Sequence, residues 1–285
     1  MNHLGIWCVL VLNWFSCYGE RILFLSPVST KSHKIGFMPI AETLAERGHQ
    51  VTVVSPVEPL KQIKNLREIV IEKHYYSSEN FDWFEMGSHD PDFTSLIGII
   101  NQFRALNIEG YQLFRANQDV QQIIRSKEVD LVVIDATIND FCFPLIEFLK
   151  VPFISYIPSS GIPWTINAMG IPSESAYVPG GANDHGSDMT FVERALNSLV
   201  MELFFWCRRY FVLGMVDEMV REDFPNSRPI SEIERDAELL IMNSHPTTSW
   251  SRPLPPYAIP IGPLHVRTAQ PLPKVIIIKN IVSFK

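Results

Sequence analysis

The sequence predicts an α/β protein with a Rossmann-like, doubly wound parallel sheet, and three observations lead to this class. Its short apolar runs are continuous rather than alternating, as in strands that are buried on both faces. Helical patterns alternate with these runs along the chain. The first run, the first helical pattern and the second run follow one another closely, as in a right-handed βαβ unit.

The first βαβ unit begins with the run Arg21–Leu25, which reads as a buried strand. Pro39 suits the first turn of the helix that follows, and Gly48 suits its end. Val51–Val54 then reads as the second strand. The helix itself is indicated by apolar residues at helical spacing, namely Phe37, Ile40, Ala41, Leu44 and Ala45.

The same alternation continues along the chain, and a proline-rich, extended segment follows it. We find no internal repeat. The later predicted elements are, in order, a strand at 69–71, a surface excursion at 74–91, two helices within 93–126, a strand at 131–134, a helix at 143–149, a strand at 152–157, a long loop at 158–186, helix at 189–223 and a strand at 238–243.

Composition and the first residues indicate a protein of the secretory pathway. With 285 residues, of which 46% are hydrophobic, the chain can build a large core. Leu4–Phe15 is almost uninterruptedly apolar and small residues follow it, so we predict that residues 1–19 form a signal peptide cleaved before Glu20. An uncleaved anchor is the alternative, because little positive charge precedes the apolar run.

Of the four cysteines, two remain after the predicted cleavage, Cys142 and Cys207. Two cysteines do not form a disulfide framework, although one bridge between them would suit an oxidising lumen. Cys142 lies in an apolar, helix-like run, which favours its packing as a small hydrophobic residue.

The charge pattern argues against nucleic acid as a partner. The formal net charge is −7, and no cluster of lysines and arginines forms the basic face that phosphates require. The most apolar stretch after the leader, Leu199–Leu213, is interrupted by Glu202, Arg208 and Arg209, so we expect no transmembrane helix there. A long helix with one buried face and a helix that contacts a membrane surface or lines a greasy pocket both fit this stretch.

The candidate chemistry depends on His33 and Asp135. His33 follows the first strand, in the loop before the helix, and Asp135 ends the strand Leu131–Ile134. Because ligands of doubly wound sheets bind beyond the carboxyl ends of the strands, both residues lie where a site is expected. A neutral imidazole can take a proton from a bound hydroxyl, and a carboxylate on its other nitrogen fixes the tautomer. The pair therefore predicts activation of an acceptor hydroxyl.

Other active-site patterns do not occur in the sequence. A serine hydrolase would need Gly-x-Ser-x-Gly, and Ser159-Ser160-Gly161 lacks the first glycine. There is no His-x-x-x-His or Cys-x-x-Cys pair for a metal, and no Gly-x-Gly-x-x-Gly or Walker loop for a nucleotide phosphate. His49 reads as a structural residue, and we assign no role to His185 or His245.

The chain resembles the N-terminal half of a UDP-glycosyltransferase of the UDP-glucuronosyltransferase family, in the animal and especially the arthropod style. The resemblance runs in order from about residue 20 to residue 274, which makes it more specific than any single motif. The matching stretches are Ser32-His33 with Pro39, then 44–53, 130–135, 151–154, 177–179, 187–194, 243–244, 252–256, 261–263 and 271–273.

This resemblance implies the N-terminal domain of a GT-B fold, in which two Rossmann-like domains face each other across a cleft. The N-terminal domain would bind a small lipophilic acceptor, and the C-terminal domain would bind a UDP-sugar as a co-substrate, with no cofactor and no metal. His33 would be the catalytic base and Asp135 its partner. The acceptor oxygen would attack the anomeric carbon with inversion while UDP leaves, transferring glucose or glucuronate.

The resemblance also implies a donor domain and a membrane anchor that this chain does not match. We therefore expect an acceptor-binding domain at 20–250, a linker at 251–274 and a non-family tail at 275–285, as in a truncated gene model or splice product. We expect the endoplasmic reticulum lumen or membrane, or secretion if the anchor is absent, and a homo-oligomer or hetero-oligomer is open. The alternatives are a non-catalytic module that binds lipophilic ligands and an inactive fragment.

Overall fold

A computed structural model describes residues 19–73, 93–180, 186, 188–245 and 247–266. The predicted signal peptide, except its last residue, and the predicted surface excursion at 74–91 lie outside these residues. The predicted tail at 275–285 and His185 lie outside them as well.

Within the described part of the chain, seven parallel strands form one sheet in the order β3-β2-β1-β4-β5-β6-β7. The order reverses direction between β1 and β4, which is the switch point of a doubly wound fold. The predicted Rossmann-like fold class is confirmed. The strands are Arg21–Leu25 (β1), Gln50–Ser55 (β2), Leu66–Val70 (β3), Leu131–Asp135 (β4), Phe153–Ile157 (β5), Leu239–Met242 (β6) and Ala258–Pro260 (β7).

Helices connect the strands and cover both faces of the sheet. A 3₁₀ turn at Asp140–Cys142 precedes α4, and a π-helical turn at Arg208–Leu213 joins α6 to α7. A second 3₁₀ turn at Glu234–Asp236 follows α8. The α-helices of the described residues are Lys31–Glu46 (α1), Phe93–Ala116 (α2), Gln118–Ser126 (α3), Phe143–Leu149 (α4), Pro163–Ala168 (α5), Phe191–Cys207 (α6), Gly214–Val220 (α7) and Ile230–Ile233 (α8).

The core lies on both faces of the sheet because successive strand residues point in opposite directions. On β1, Leu23 and Leu25 pack into one buried cluster, while Ile22 and Phe24 pack into the other. Cys142 is fully buried in the first cluster, as predicted, and its thiol is free. Cys207 is half-buried and also free, so the disulfide that the sequence left open is absent from the structure.

Helix α1 begins earlier than the sequence predicted. Its first turn is closed by the Lys34 N–H, which donates to the carbonyl of Thr30 at 3.2 Å. Pro39 therefore lies inside the helix rather than in its first turn, and the helix accepts the loss of one backbone hydrogen bond there. As a consequence His33 belongs to the first turn of α1 and not to a loop.

Two segments that were predicted to be irregular contain regular structure. The predicted loop at 158–186 includes α5, whose first residue is Pro163, a favoured residue at a helix start. The predicted linker at 251–274 contributes β7, which pairs in parallel with β6. A proline-flanked segment is already extended, and an edge strand tolerates proline, so the two properties are compatible.

Arg208, which interrupts the apolar stretch Leu199–Leu213, is buried and ion-paired. Its Nη2 lies 2.6 Å from Asp140 Oδ1 and 3.1 Å from Glu234 Oε2. A buried charge is costly unless it is paired. The three side chains therefore tie the π-helical turn to the turns before α4 and after α8.

Candidate active site

The sheet brings the two predicted site residues together. β1 and β4 are neighbouring parallel strands whose last paired residues are Leu25 and Ile134. Asp135 therefore ends β4 beside the first turn of α1, which carries His33. His33 Nδ1 and Asp135 Oδ2 are 2.8 Å apart, which is hydrogen-bond distance.

Asp135 is almost completely buried, and several donors hold its carboxylate. The hydroxyl of Ser26 donates to Oδ2 at 3.0 Å. The hydroxyl and the backbone N–H of Thr137 donate to Oδ1 at 2.7 and 3.2 Å. Burial raises the pKa of Asp135, but the charge and hydrogen bond of His33, with the bonds from Thr137 and Ser26, outweigh it and lower that pKa. The group is therefore a carboxylate near neutral pH.

The carboxylate in turn sets the state of His33. Burial lowers the pKa of His33, but the charge of Asp135 and their hydrogen bond outweigh it, so the pKa is raised from its ordinary value. In the neutral ring the proton lies on Nδ1, because an ionised carboxylate can only accept. Nε2, on the far side of the ring, then carries the lone pair that can take a proton. The His33 side chain is 23% exposed, so the ring is within reach of a ligand.

Sequence reasoning missed Ser26 and Thr137. Each is the first or second residue beyond its strand, at the same edge of the sheet as Asp135. Small polar residues at strand ends are common in turns, so their type alone does not indicate a role. The signal that was available was their position: both follow strands predicted to end where a ligand binds.

His49 and His245 make their hydrogen bonds away from the pair. His49 Nδ1 accepts the backbone N–H of Glu20 at 3.1 Å, which agrees with a structural role. His245 lies 2.7 Å from the hydroxyl of Thr247 in a turn after β6. Among the residues that the structure describes, no group of three or more His, Cys, Asp or Glu side chains could hold a metal ion.

Comparison with known proteins identifies the family. The family model described as UDP-glucoronosyl and UDP-glucosyl transferase matches residues 22–280. The chain belongs to this family. This member carries His33 and Asp135 within the matched range, at the carboxyl edge of its sheet.

Relatives of this UDP-glycosyltransferase family member come from insects and mammals. It is 27% identical to UDP-glycosyltransferase UGT5 of Dactylopius coccus over 264 residues, 90% of this chain and 49% of that protein. It is 26% identical to UDP-glucuronosyltransferase 2C1 of Oryctolagus cuniculus over 259 residues, 85% of this chain and 51% of that protein. The chain thus spans about half the length of the curated relatives it matches.

Solved structures of glycosyltransferases are also similar to this chain. Medicago truncatula UGT71G1, solved with UDP-glucose, aligns with a TM-score of 0.47 at 13% identity and covers 95% of this chain and 58% of that one. CalG4, the calicheamicin glycosyltransferase, aligns with a TM-score of 0.43 at 15% identity and covers 86% of this chain and 53% of that one.

Proposed function

We propose that this chain is the acceptor-activating half of a UDP-glycosyltransferase that transfers glucose or glucuronate to a small lipophilic hydroxyl compound. The observation that carries the proposal is the contact of 2.8 Å between His33 Nδ1 and Asp135 Oδ2 at the carboxyl edge of the sheet. Family membership supports UDP-sugar as the co-substrate. The acceptor would lie beside His33, at the carboxyl edge of the sheet.

In this mechanism His33 Nε2 takes the proton of the acceptor hydroxyl as the oxygen attacks the anomeric carbon. The new oxygen–carbon bond forms while the bond between that carbon and the UDP oxygen breaks, and UDP leaves with the bonding electrons. Attack opposite the leaving group inverts the anomeric configuration. Asp135 stabilises the imidazolium that forms, and the ring then releases the proton to solvent.

A positioned base supplies only part of the required rate. General-base catalysis contributes about 10²–10⁴-fold, whereas enzymes accelerate reactions by about 10⁶-fold or more. The groups that bind the UDP pyrophosphate would come from the half of the family protein that this chain does not cover. We therefore expect turnover from a form that includes that half.

Purified chain, incubated with UDP-glucose or UDP-glucuronate and a phenolic acceptor, tests the proposal. We expect saturable acceptor binding without transfer from the 285-residue chain. A form extended by the half of the family protein that this chain does not cover should form the glycoside, detected by mass spectrometry. Acceptor binding without transfer from the extended form would instead assign the chain to the rival class, a non-catalytic module that binds lipophilic ligands. Absence of both would mark an inactive fragment and overturn the proposal.

We further propose that the protein works in the secretory pathway and contacts a lipid surface through α6 and the π-helical turn. The outward face of this segment is apolar: Val192, Leu196, Leu199, Trp206 and Tyr210 are each more than half exposed. They lie opposite the buried face, which includes Met201 and Phe204. Trp206 packs on Tyr210 with ring centroids 4.9 Å apart.

These features favour a lipid interface over open water. Tryptophan and tyrosine concentrate at the boundary between the acyl chains and water, and helices with exposed apolar faces lie in that plane. Arg209, beside the aromatic rings, is exposed and could contact lipid phosphates. Over the described residues, no helix is both long and apolar enough to cross a membrane. The exposed apolar side chains and the paired aromatic rings are what favour contact along a membrane surface.

Sedimentation with phosphatidylcholine and phosphatidylserine vesicles tests this contact. Leu196→Gln with Leu199→Gln should reduce the bound fraction about tenfold or more, because burial of each leucine contributes about 1.5–3 kcal/mol. The control is Leu60→Gln, which changes an exposed leucine elsewhere and should bind as the wild type does. If the wild type instead self-associates in the absence of lipid and the double variant does not, the apolar face of α6 would be an interface between two copies of the chain. In that case the lipid proposal would fail.

A further inference from the structure

The backbones that carry His33 and Asp135 separate at the carboxyl ends of their strands. β1 and β4 pair as far as Leu25 and Ile134. Beyond that point Ser26 N donates to Val54 O on β2 at 3.0 Å, and Ala136 N donates to Tyr156 O on β5 at 2.9 Å. Each strand still bonds its outer neighbour there, whereas the ladder between β1 and β4 has ended, which leaves a gap in the backbone pairing. The two residues of the proposed catalytic pair stand on opposite sides of this gap.

The Asn139 side chain spans the gap, in addition to the Ser26 hydroxyl that bonds Asp135. Asn139 is fully buried. Its Oδ1 accepts the Val28 N–H at 2.6 Å, and its Nδ2 donates to Val28 O at 3.3 Å. The same Nδ2 donates to the backbone carbonyl of Asp135 at 2.9 Å. The amide therefore links the two segments by backbone hydrogen bonds where β1 and β4 no longer pair.

We propose that Asn139 is a positioning residue that fixes the spacing between His33 and Asp135. It holds Val28, in the segment that leads into α1, against the backbone of Asp135. The expected effect on the reaction rate rests on the proposed function. The expected effect on the position of His33 relative to Asp135 does not. Misplacement of reacting groups by about 1 Å can cost about 10²-fold in rate, so a small shift of this segment matters.

The residue type fits this role. An asparagine offers a donor and an acceptor on one short side chain, and both are needed to bond the N–H and the carbonyl of Val28. Leucine has a similar size but makes no hydrogen bond, and it would leave buried backbone groups of Val28 and Asp135 unpaired. Serine keeps polarity but has a shorter reach. Asn139→Leu and Asn139→Ser therefore remove the link in two chemically different ways.

The structure provides a matched control in Asn197. It is also buried and bonds three backbone groups across a loop: Gly180 N at 2.9 Å, Ser175 O at 2.6 Å and Val178 O at 3.0 Å. Asn197→Leu thus removes a comparable set of side-chain to backbone hydrogen bonds without touching the segments that carry His33 and Asp135. A comparable fall in melting temperature is expected for both leucine variants.

The decisive measurement is ¹⁵N NMR titration of the His33 ring in the full 285-residue chain. In folded Asn139→Leu and Asn139→Ser the His33 pKa should fall toward its ordinary value of about 6.5, with loss of the preference for the Nδ1–H tautomer. In Asn197→Leu both readouts should match the wild type. Folded Asn139 variants with an unchanged His33 pKa and tautomer would show a purely structural residue and overturn the proposal.

Kinetics of a form extended by the donor-binding half separate this proposal from the proposed function. There Asn139→Ser should lower kcat about 10-fold to 10²-fold with little change in the acceptor KM. If His33→Ala abolishes turnover while the Asn139 variants leave the His33 titration unchanged, the positioning role fails and the function stands. If the titration shifts but turnover does not depend on His33, the positional link stands and the proposed function fails.

Discussion

Replacement of His33 by alanine is expected to lower kcat by about 10²–10⁴-fold in any form of the protein that also binds the UDP-sugar. The variant removes the nitrogen that takes the acceptor proton, while Asp135 keeps its bonds from Ser26 and Thr137. The acceptor must then lose its proton to water. Initial rates of glycoside formation over a range of acceptor concentrations measure kcat and KM separately, and the loss should lie in kcat.

A series of phenols with decreasing pKa sharpens this result. A more acidic phenol needs less help from a base, so the ratio of wild-type to variant rates should shrink along the series. The control is His49→Ala, because His49 bonds the backbone of Glu20 and lies apart from the pair. A loss in His33→Ala that is equal for all acceptors, or that His49→Ala reproduces, would remove proton abstraction as the role of His33.

Asp135→Asn is expected to lower kcat by about 10²–10⁴-fold as well, although the side chain keeps its shape. An amide carries no charge to stabilise the imidazolium. Its N–H can also donate to Nδ1, which favours the neutral tautomer with the proton on Nε2. Asp130→Asn is the matched control. Asp130 precedes β4 at its other end and pairs with Arg21 at 2.7 Å, so its loss should leave kcat unchanged.

Asp135→Asn should also shift the pH dependence of kcat/KM in a defined direction. The base must be neutral, and the pKa of His33 is raised above 6.5 by Asp135. In the wild type kcat/KM should therefore rise with pH through a pKa above 6.5. Asp135→Asn removes the causes that raise the His33 pKa and leaves burial, which lowers it. The pH at which the residual kcat/KM rises should therefore shift downward. A pH profile of Asp135→Asn that matches the wild-type profile would contradict the assignment of the pair.

The free energy of unfolding should depend on pH through the same two pKa shifts, those of His33 and Asp135. The raised pKa of His33 contributes stability that is fully present below about pH 6.5 and is lost as pH rises through the folded pKa. The lowered pKa of Asp135 contributes stability that is present above about pH 3.8 and is lost as pH falls through its folded pKa. The free energy of unfolding of Asp135→Asn, measured with urea, should therefore differ most from that of the wild type between these two values.

Much of the fold was predictable because parallel strands bury both faces and read as continuous apolar runs. The strands β1, β2 and β4 were located in this way. The predicted end of β4 also placed Asp135 at the carboxyl edge of the sheet. The start of α1 was not, because Pro39 is a favoured first-turn residue and only the Lys34 to Thr30 bond shows the helix beginning before it. β7 was missed because prolines before it also indicate a linker.

The site was predictable only where chemistry restricts the residue type. A histidine and a carboxylate at one sheet edge indicate proton transfer, so His33 and Asp135 could be chosen. Ser26, Thr137 and Asn139 act through hydrogen bonds whose partners are more than a hundred residues away or in a tight turn. Their residue types occur in many turns, and only the three-dimensional register between β1 and β4 distinguishes them.

In the part of the chain that the structure describes, both edge strands of the sheet carry features that oppose pairing with other chains. β7 has three residues and ends at Pro260, which lacks a backbone donor. β3, at the other edge, carries Arg67, whose Nη2 donates to Asp119 at 2.7 Å. Short strands, prolines and charges at edges oppose the addition of further strands and so limit aggregation. A cut before β7 would uncover β6, so a soluble version of this domain has to extend at least to Pro260.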